Sequence, residues 1–507
     1  MKPIPRMFLM LSPAGALALA FGWPTLHADF TSGDDQRFVT DHFLVSHPSW
    51  ENAGRLLGIV HGDLYQPIPM LTFQANYALA SPRNESRFGV DPFGFHLTNV
   101  ILHAINAALA TLLARRISGR DSIAVLTGLM FACHPFAMES VAWVSGRMML
   151  LATVFSLTTV LLFLGRDQNR AAPARKRSRH DGDPVAISKK DALKERVALL
   201  PRLAAQFLAI LAWAFALLSK VIPTIPLAAA VVKFTETGKL SRRSTTTLVI
   251  LLALSSAGIA GAFYTSRSAG FVNDESEFNS SPGQNFLFGS WYYLRSFIVP
   301  TKLSPWVPPP FTDTVREAET PSLDMFGITV ALGAFLCLPF ISRRVNPTVF
   351  IGLVTFVILL APFLLAPSAR RFIAADRYMY LPIFGLHLAI AGLMIQVSDR
   401  LDEHLRPSFR HRYLVLPSAL LLAFWLYLSW AFSATWKDTL SRDRRIATAY
   451  PDNPLSHYEL AKAHNFEGQP RAALDIIEKA RERWPENPRL AAQAGEAHWR
   501  LNQWEAA

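Results

Sequence analysis

The sequence is poor in charged residues and in cysteine. Asp, Glu, Lys and Arg make up 17% of the 507 residues, against roughly 25% in a soluble domain. The two cysteines, Cys133 and Cys337, each lie within or beside an apolar run, so a disulfide framework is not expected. The sequence also has no P-loop, no cluster of metal-ligand residues and no nucleophile elbow. It therefore predicts no metal site and no certain cofactor.

Apolar sequence is abundant instead, at 51% of all residues. Several runs are long enough to cross a bilayer core of about 30 Å. We therefore predict an all-α, polytopic membrane domain over residues 1–433 with about eleven spans. The predicted spans are 7–26, 96–114, 121–138, 146–165, 203–219, 221–233, 245–264, 323–341, 348–366, 378–397 and 413–433.

Loop charges predict the orientation of these spans. The net charge is +12, and the excess lies in short loops between apolar runs, as the positive-inside rule expects. No nucleic-acid partner is needed to explain it. The basic loops, including 166–202, alternate with the long outer loops 27–95 and 265–322, which are poor in Lys and Arg.

This alternation predicts a cytoplasmic N-terminus and an extracytoplasmic C-terminal tail. The first apolar run is interpreted as an uncleaved helix, with a cleaved signal peptide as the alternative. Because the chain is compact and its loops are small, we expect a bacterial inner membrane; an endoplasmic-reticulum membrane would present the same face to the lumen.

The tail, residues 434–507, has a different pattern. Pro451-Asp452-Asn453-Pro454 recurs 34 residues later as Pro485-Glu486-Asn487-Pro488, which is the period of a tetratricopeptide repeat. An unrelated helical hairpin is the alternative. About three repeats are normally needed for independent stability, so this short α-hairpin module is expected to dock on the membrane domain or to be a truncated array.

An acidic pair follows the first predicted span. Two adjacent carboxylates, Asp34 and Asp35, repel each other, and repulsion raises the pKa of one of them. Such a group can act as a base toward an acceptor hydroxyl. The alternative is an ordinary solvated loop.

A second candidate lies in segment 134–147, between the third and fourth spans. Glu139, Trp143 and Arg147 follow i, i+4, i+8, so a continuing helix would align them on one face. A carboxylate, an aromatic ring and a guanidinium group together suit a sugar phosphate. A helix-end cap with a snorkelling arginine is the alternative.

Three further charged residues stand next to apolar runs. A charge such as Lys220 at the centre of a membrane helix costs about 2.5–3.5 kcal/mol, so it usually has a partner or a function. Arg377 is a candidate for binding phosphate, with Asp376 as its partner, and an interfacial anchor is the alternative for each. In the predicted topology these residues share one face with Asp34 and Glu139.

Four stretches, taken together, resemble the transmembrane-and-tetratricopeptide-repeat (TMTC-type) O-mannosyltransferases. They are 94–106, 134–147, Ser219-Lys220 and 375–382. The resemblance implies a GT-C glycosyltransferase that takes a sugar from a polyprenyl-phosphate donor. It further implies that Asp34 is the base and Asp35 its neighbour. The chain departs from the family at Gln66-Pro67-Ile68, where Arg-Pro-Leu is usual.

The resemblance also assigns the remaining candidates. Basic side chains would hold the lipid phosphate: Arg147, Lys220 and Arg377. Other side chains would position the acceptor or the sugar: His134, Glu139 and Asp376.

The sequence as a whole predicts a membrane glycosyltransferase that transfers a mannose-like sugar to a hydroxyl, on a protein bound by the repeats. The lipid-linked sugar phosphate would arrive from the bilayer, so no nucleotide site is required. A non-catalytic membrane scaffold that recruits partners through its repeats is the first alternative. A transporter is the second, although the internal symmetry typical of transporters is not visible.

Overall fold

The chain is an all-α polytopic membrane protein. A computed structural model describes residues 6–61, 64–82, 88–165, 189–269, 282–301, 303–308, 322–365, 372–404 and 412–504. Within these ranges β-structure is limited to three isolated bridges. The helices are α1 (Arg6–Gly22), α2 (Phe43–Ser46), α3 (Trp50–Leu56), α4 (Pro67–Leu79), α5 (Phe93–Ser118), α6 (Asp121–Cys133), α7 (Ala137–Ala142), α8 (Arg147–Leu164), α9 (Lys189–Ser219), α10 (Ile225–Thr237), α11 (Arg242–Ser268), α12 (Pro282–Ile298), α13 (Ser322–Val345), α14 (Pro347–Leu365), α15 (Ile383–His404), α16 (Arg412–Ser433), α17 (Thr439–Ala449), α18 (Pro454–Phe466), α19 (Pro470–Arg483) and α20 (Pro488–Arg500).

Each of the eleven predicted spans overlaps a helix, but the bounds differ: 121–138 runs past the end of α6 at Cys133 into α7, and 378–397 begins before α15. Not every helix is long and apolar enough to cross a membrane. Helix α10 has 13 residues, which gives a length of about 20 Å. Two further apolar helices, Asp121–Cys133 and Leu203–Ser219, are also short. In the described part of the chain seven helical segments meet both conditions: Met7–His27, Phe93–Ser118, Val144–Leu164, Arg242–Ser268, Gly327–Val345, Pro347–Leu365 and Leu414–Trp436.

The centre of the bundle is formed by α1, α5 and α6, with α8 against α5 and α15 against both α6 and α14. Helices α14 and α15 approach each other closely at two glycines. A Cβ atom on Gly352 would lie 2.5 Å from the carbonyl oxygen of Gly385, and one on Gly385 would lie 2.5 Å from that of Gly352. Small residues allow such close packing in membranes, where association depends on van der Waals contact between helices.

The first outer loop has a core of its own above the bundle. Phe30, Phe38 and Phe73 are buried together with Phe95 at the start of α5 and Met148 in α8. The loop is therefore fixed to the ends of two central helices. The basic segment predicted at 166–202 lies largely outside the described residues, which resume at 189.

The tail forms the predicted helical repeats, and the recurring motif explains where two helices begin. Pro454 and Pro488 are the first residues of α18 and α20, where proline's fixed φ and missing N–H suit a helix start. The preceding asparagines cap these helices: Asn453 Oδ1 accepts from Leu455 N at 2.9 Å, and Asn487 Oδ1 from Arg489 N at 3.1 Å. Ala461, Ala473 and Ala480 are buried between the helices, as the repeat pattern requires.

The tail also contacts the first outer loop. The Asp29 backbone N–H donates to the Lys437 carbonyl at 2.8 Å, and the Ser32 N–H donates to Thr439 Oγ1 at 2.9 Å. The first outer loop and the tail therefore lie on the same side of the bundle. Which side of the membrane this is remains a prediction from the loop charges.

Cysteine labelling tests that orientation. In a Cys133→Ala, Cys337→Ala background, we expect Ser81→Cys to react with an impermeant maleimide in intact cells, because Ser81 is exposed in the predicted outer loop. Ala186→Cys, in the predicted cytoplasmic loop and outside the described residues, should react only after the membrane is permeabilised. Labelling of both cysteines in intact cells would refute the topology.

Candidate functional site

A buried ion pair lies at the end of the bundle that carries the first outer loop. Arg377 Nη1 lies 2.5 Å from Glu139 Oε1, and the Arg377 backbone N–H donates to Glu139 Oε2 at 2.6 Å. The Glu139 side chain is fully buried and that of Arg377 is 15% exposed. One carboxylate thus holds both the main chain and the side chain of Arg377.

The helix that carries Glu139 is short. Pro135 ends the preceding helix, α7 covers only Ala137–Ala142, and Trp143 is extended with φ −78° and ψ 125°. The predicted continuous helix with Glu139, Trp143 and Arg147 on one face is therefore wrong. The turn is tight: a Cβ on Gly146 would lie 2.5 Å from the Ser140 carbonyl oxygen. Only glycine fits at this position.

Aromatic rings surround the Arg377 guanidinium group. Its carbon lies 5.3 Å from the ring centre of Trp143, 5.3 Å from that of Phe372 and 5.0 Å from that of Tyr378. Burial tends to lower the pKa of Arg377, but the negative charge of Glu139 opposes this, and the net direction is upward. Arg377 therefore remains a cation, stabilised by both the carboxylate and the ring faces.

Lys220 lies at the same place. Its Nζ is 5.6 Å from the centre of the Tyr378 ring, the ring that Arg377 also contacts, and its charge acts on Glu139. The charge of Asp34 in turn acts on Arg377. The structure therefore brings together Asp34, Glu139, Lys220, Arg377 and Asp376, and the functional roles proposed for them stay predictions.

Asp376 is not the ion-pair partner of Arg377 that the sequence suggested, because Glu139 fills that role. Asp376 is fully buried, and its Oδ1 accepts a hydrogen bond from the Tyr292 hydroxyl at 2.6 Å. Burial raises the pKa of Asp376 well above its ordinary value, and the nearby charge of Glu139 raises it further. The surroundings of Asp376 therefore disfavour the charged form of its side chain.

The acidic pair divides into two environments. Asp35 is fully buried: its Oδ1 accepts from Ser145 N at 2.8 Å and Ser145 Oγ at 2.6 Å, and its Oδ2 accepts from Thr31 N and Oγ1, both at 3.0 Å. Burial raises the pKa of Asp35, although these hydrogen bonds oppose the rise. Asp34 follows Gly33, whose φ is +95°, and is partly exposed. Asp35 thus ties the loop to the 143–146 turn, and Asp34 is the accessible carboxyl group.

Two predicted site residues do not reach the ion pair. The Arg147 side chain is fully buried, donates from Nε to Asn99 Oδ1 at 2.9 Å and from Nη2 to the Phe95 carbonyl at 2.8 Å, and lies over the Phe73 ring. It joins α8 to α5 and the outer loop. His134 is buried among aromatic rings, stacked on Phe297 at 4.8 Å. The predicted contacts of Arg147 with phosphate and of His134 with sugar stay untested.

Sequence reasoning missed other residues that build the site. Ser145 lies inside the motif, and its side chain could have been noted as a donor for a carboxylate. Tyr292 lies in α12, where only its hydroxyl group could have indicated a buried polar partner. The described residues contain no group of three or more His, Cys, Asp or Glu that could hold a metal ion.

Comparison with known proteins confirms the resemblance seen in the motifs. The chain is 32% identical over 171 residues to protein O-mannosyl-transferase TMTC2 of Mus musculus and, to the same extent, of Homo sapiens. It is 30% identical over 173 residues to human protein O-mannosyl-transferase TMTC4. These matches cover 32%, 32% and 30% of this chain but only 19%, 19% and 22% of the relatives. The chain therefore spans about a fifth of their length, and these relatives are eukaryotic. No family model and no solved structure matches.

The ion pair predicts a specific stability defect. Glu139→Gln leaves the mostly buried Arg377 cation without its counter-ion, so we expect a loss of about 3–5 kcal/mol, seen as a lower melting temperature of the purified protein in detergent. In Glu139→Gln/Arg377→Gln the loss should be smaller than the sum of the two single changes, because both charges are gone.

Glu51→Gln is the matched control. Glu51 pairs with Arg55 at 2.7 Å, but the two side chains are 73% and 57% exposed, and removal of an exposed pair changes stability little. Equal melting temperatures for Glu139→Gln and Glu51→Gln would contradict a stabilising role for the buried pair.

Proposed function

We propose that the chain is a membrane glycosyltransferase that transfers a mannose-like sugar from a polyprenyl-phosphate donor to a hydroxyl group of a protein, at the extracytoplasmic face. The observation that supports it best is the gathering of a partly exposed carboxyl, Asp34, and two cations, Arg377 and Lys220, at one end of a membrane bundle. The names of the relatives, protein O-mannosyl-transferases, support the type of sugar and acceptor.

The charges of the site suit an anionic donor. Arg377 and Lys220 bring two basic groups to the site, beside the acidic groups Glu139 and Asp34. Both basic groups lie against the Tyr378 ring, at 5.0 Å for the Arg377 guanidinium carbon and 5.6 Å for Lys220 Nζ. A phosphate that lies at the bilayer edge with its lipid tail in the membrane would be drawn to Lys220 and to the exposed edge of Arg377.

The reaction is a direct displacement at the sugar. Asp34 accepts the proton of the acceptor hydroxyl as the oxygen attacks the anomeric carbon. The bond between that carbon and the phosphate oxygen breaks, and its electron pair leaves with the lipid phosphate. Lys220 and Arg377 stabilise the negative charge that develops there. The proton on Asp34 then passes to water, and the anomeric centre is inverted.

The C-terminal repeats would bring the protein acceptor to this site. They continue directly from α17, which contacts the segment before Asp34. A non-catalytic scaffold is the second candidate, and one observation favours it: Glu139 and Arg377 already satisfy each other, as a purely structural pair would. A scaffold requires no function of Asp34, so a substitution at Asp34 distinguishes the enzyme from the scaffold.

We expect Asp34→Asn to lower turnover by at least about 100-fold, because it removes the base with little change of size. The assay is transfer from a panel of radiolabelled polyprenyl-phosphate sugars to a Ser/Thr-rich peptide. Asp41→Asn is the control, since Asp41 is an exposed carboxylate of the same loop whose partner is Gln36. Wild-type turnover in a folded Asp34→Asn protein would show that Asp34 is not the base.

Donor binding is tested at Lys220. We expect Lys220→Ala to raise the donor KM about tenfold or more, because a charge-assisted contact contributes about 1.5–3 kcal/mol. Arg377→Ala should do the same but also lower the melting temperature, since it breaks the pair with Glu139. Lys233→Ala is the control: its Nζ donates to the Leu164 carbonyl, away from the site. An unchanged donor KM in a folded Lys220→Ala protein would mean that other residues bind the phosphate.

A further inference from the structure

Helix α17, the first helix of the tail, is bonded directly to the segment that carries the acidic pair. Arg442 Nη1 donates to the Ser32 carbonyl at 2.8 Å, and its Nη2 donates to Ser32 Oγ at 3.2 Å. Thr439 Oγ1 accepts from the Ser32 N–H at 2.9 Å. Two side chains of α17 therefore satisfy both backbone polar groups of Ser32, two residues before Asp34.

Arg442 is itself held in place. Asp443 accepts from Arg442 Nε at 2.7 Å and from Nη2 at 3.0 Å, which gives the two-point contact typical of arginine and carboxylate. Asp443 is 2% exposed and Thr439 1% exposed. Asp438 caps the start of the helix by accepting from Ser441 N at 2.8 Å. The contact with Ser32 is thus part of a rigid, mostly buried array.

The segment is also fixed on the other side of Asp34. Asp35 binds the 143–146 turn through Ser145, and between the two anchors only Gly33 and Asp34 remain. Gly33 has φ +95°, a conformation that favours glycine. The direction of the Asp34 side chain therefore depends on two anchors, one from the membrane bundle and one from the tail.

We propose that Arg442 is a positioning residue for Asp34, so that the first helix of the repeat module is a working part of the transfer site. Arg442 does not touch the reacting groups and acts through Ser32. This inference rests on the proposed function of Asp34 for its effect on turnover. It also gives the repeats a mechanical link to the base, because α17 leads into α18 through Tyr450, whose carbonyl accepts from Ser456 Oγ at 2.7 Å.

Point variants test this in the full-length protein, with a short peptide acceptor. Arg442→Gln should lower kcat about 10- to 100-fold, because a small displacement of a catalytic group is costly, and should leave the donor KM within about twofold because Lys220 and Arg377 are unchanged. Arg442→Lys, which keeps the charge and one donor, should recover part of kcat. Arg444→Gln is the control, since Arg444 is exposed on the same helix. Equal kcat for Arg442→Gln and wild type would overturn the inference.

A second measurement does not depend on activity. The Ser32 amide is protected by Thr439, so hydrogen exchange of a peptide covering residues 30–37 should be faster in Arg442→Gln and in Thr439→Val than in wild type or Arg444→Gln. Thr439→Val keeps the shape of the side chain and removes only the contact with the Ser32 amide. It tests the anchor if Arg442→Gln fails to fold. Unchanged exchange in both variants would refute the anchor itself. If wild type transfers no sugar while exchange responds as expected, the proposed function fails and the anchor stands.

Discussion

The end of the bundle that carries the first outer loop depends on the burial of one carboxylate, Glu139. A charge removed from water costs several kcal/mol unless a partner and hydrogen bonds replace the lost solvation. Arg377 supplies both, through its guanidinium group and its own backbone N–H. The turn at Asp376–Met379 and helix α7 are therefore fixed together, although they are 238 residues apart in sequence. Arg377 Nη1 also donates to the Pro305 carbonyl at 3.2 Å, which adds a third segment.

The same constraint decides the state of Asp376. A second negative charge beside Glu139 would need a second buried cation, and Arg377 is already engaged. The pKa of Asp376 is raised accordingly, and its Oδ1 accepts a hydrogen bond from the Tyr292 hydroxyl. The raised pKa disfavours a further negative charge next to Arg377, and this suits the binding of a phosphate better than that of a cationic ligand.

The parts of the fold that the sequence predicted are those governed by local chemistry. Every span predicted from hydropathy overlaps a helix, because a bilayer requires a continuous apolar segment whose backbone is satisfied internally. The recurring Pro-x-Asn-Pro predicted the start of α18 and α20, since the asparagine caps the helix and the proline opens it. These signals need no knowledge of distant residues.

The details of the site depend on contacts that sequence spacing does not reveal. Asp34 and Asp35 are equivalent in the sequence, and they differ because Thr31 and Ser145, the latter 110 residues away, bind Asp35. Arg147 has the right type to hold a phosphate, but Asn99 and Phe95 occupy its donors. Glu139 and Arg147 have helical spacing, yet a turn that requires Gly146 separates them. Arg442 lies 410 residues from Ser32, in the helix before the recurring Pro-x-Asn-Pro motif.

The distinction between an enzyme and a scaffold therefore comes down to the partly exposed residues. Asp35, Glu139 and Arg147 are fully enclosed and satisfied within the protein, and a scaffold would need them as much as an enzyme would. The sequence resemblance to the TMTC-type proteins includes these residues, so it indicates a similar structure at the end of the bundle that carries the first outer loop. Asp34 and Lys220 retain exposed surface at the site, so a ligand from outside the chain can reach both side chains. The anchors at Ser32 and Asp35 orient Asp34 from two sides. This arrangement suits an enzyme better than a scaffold, because it fixes the direction of a carboxylate that would act on an acceptor hydroxyl.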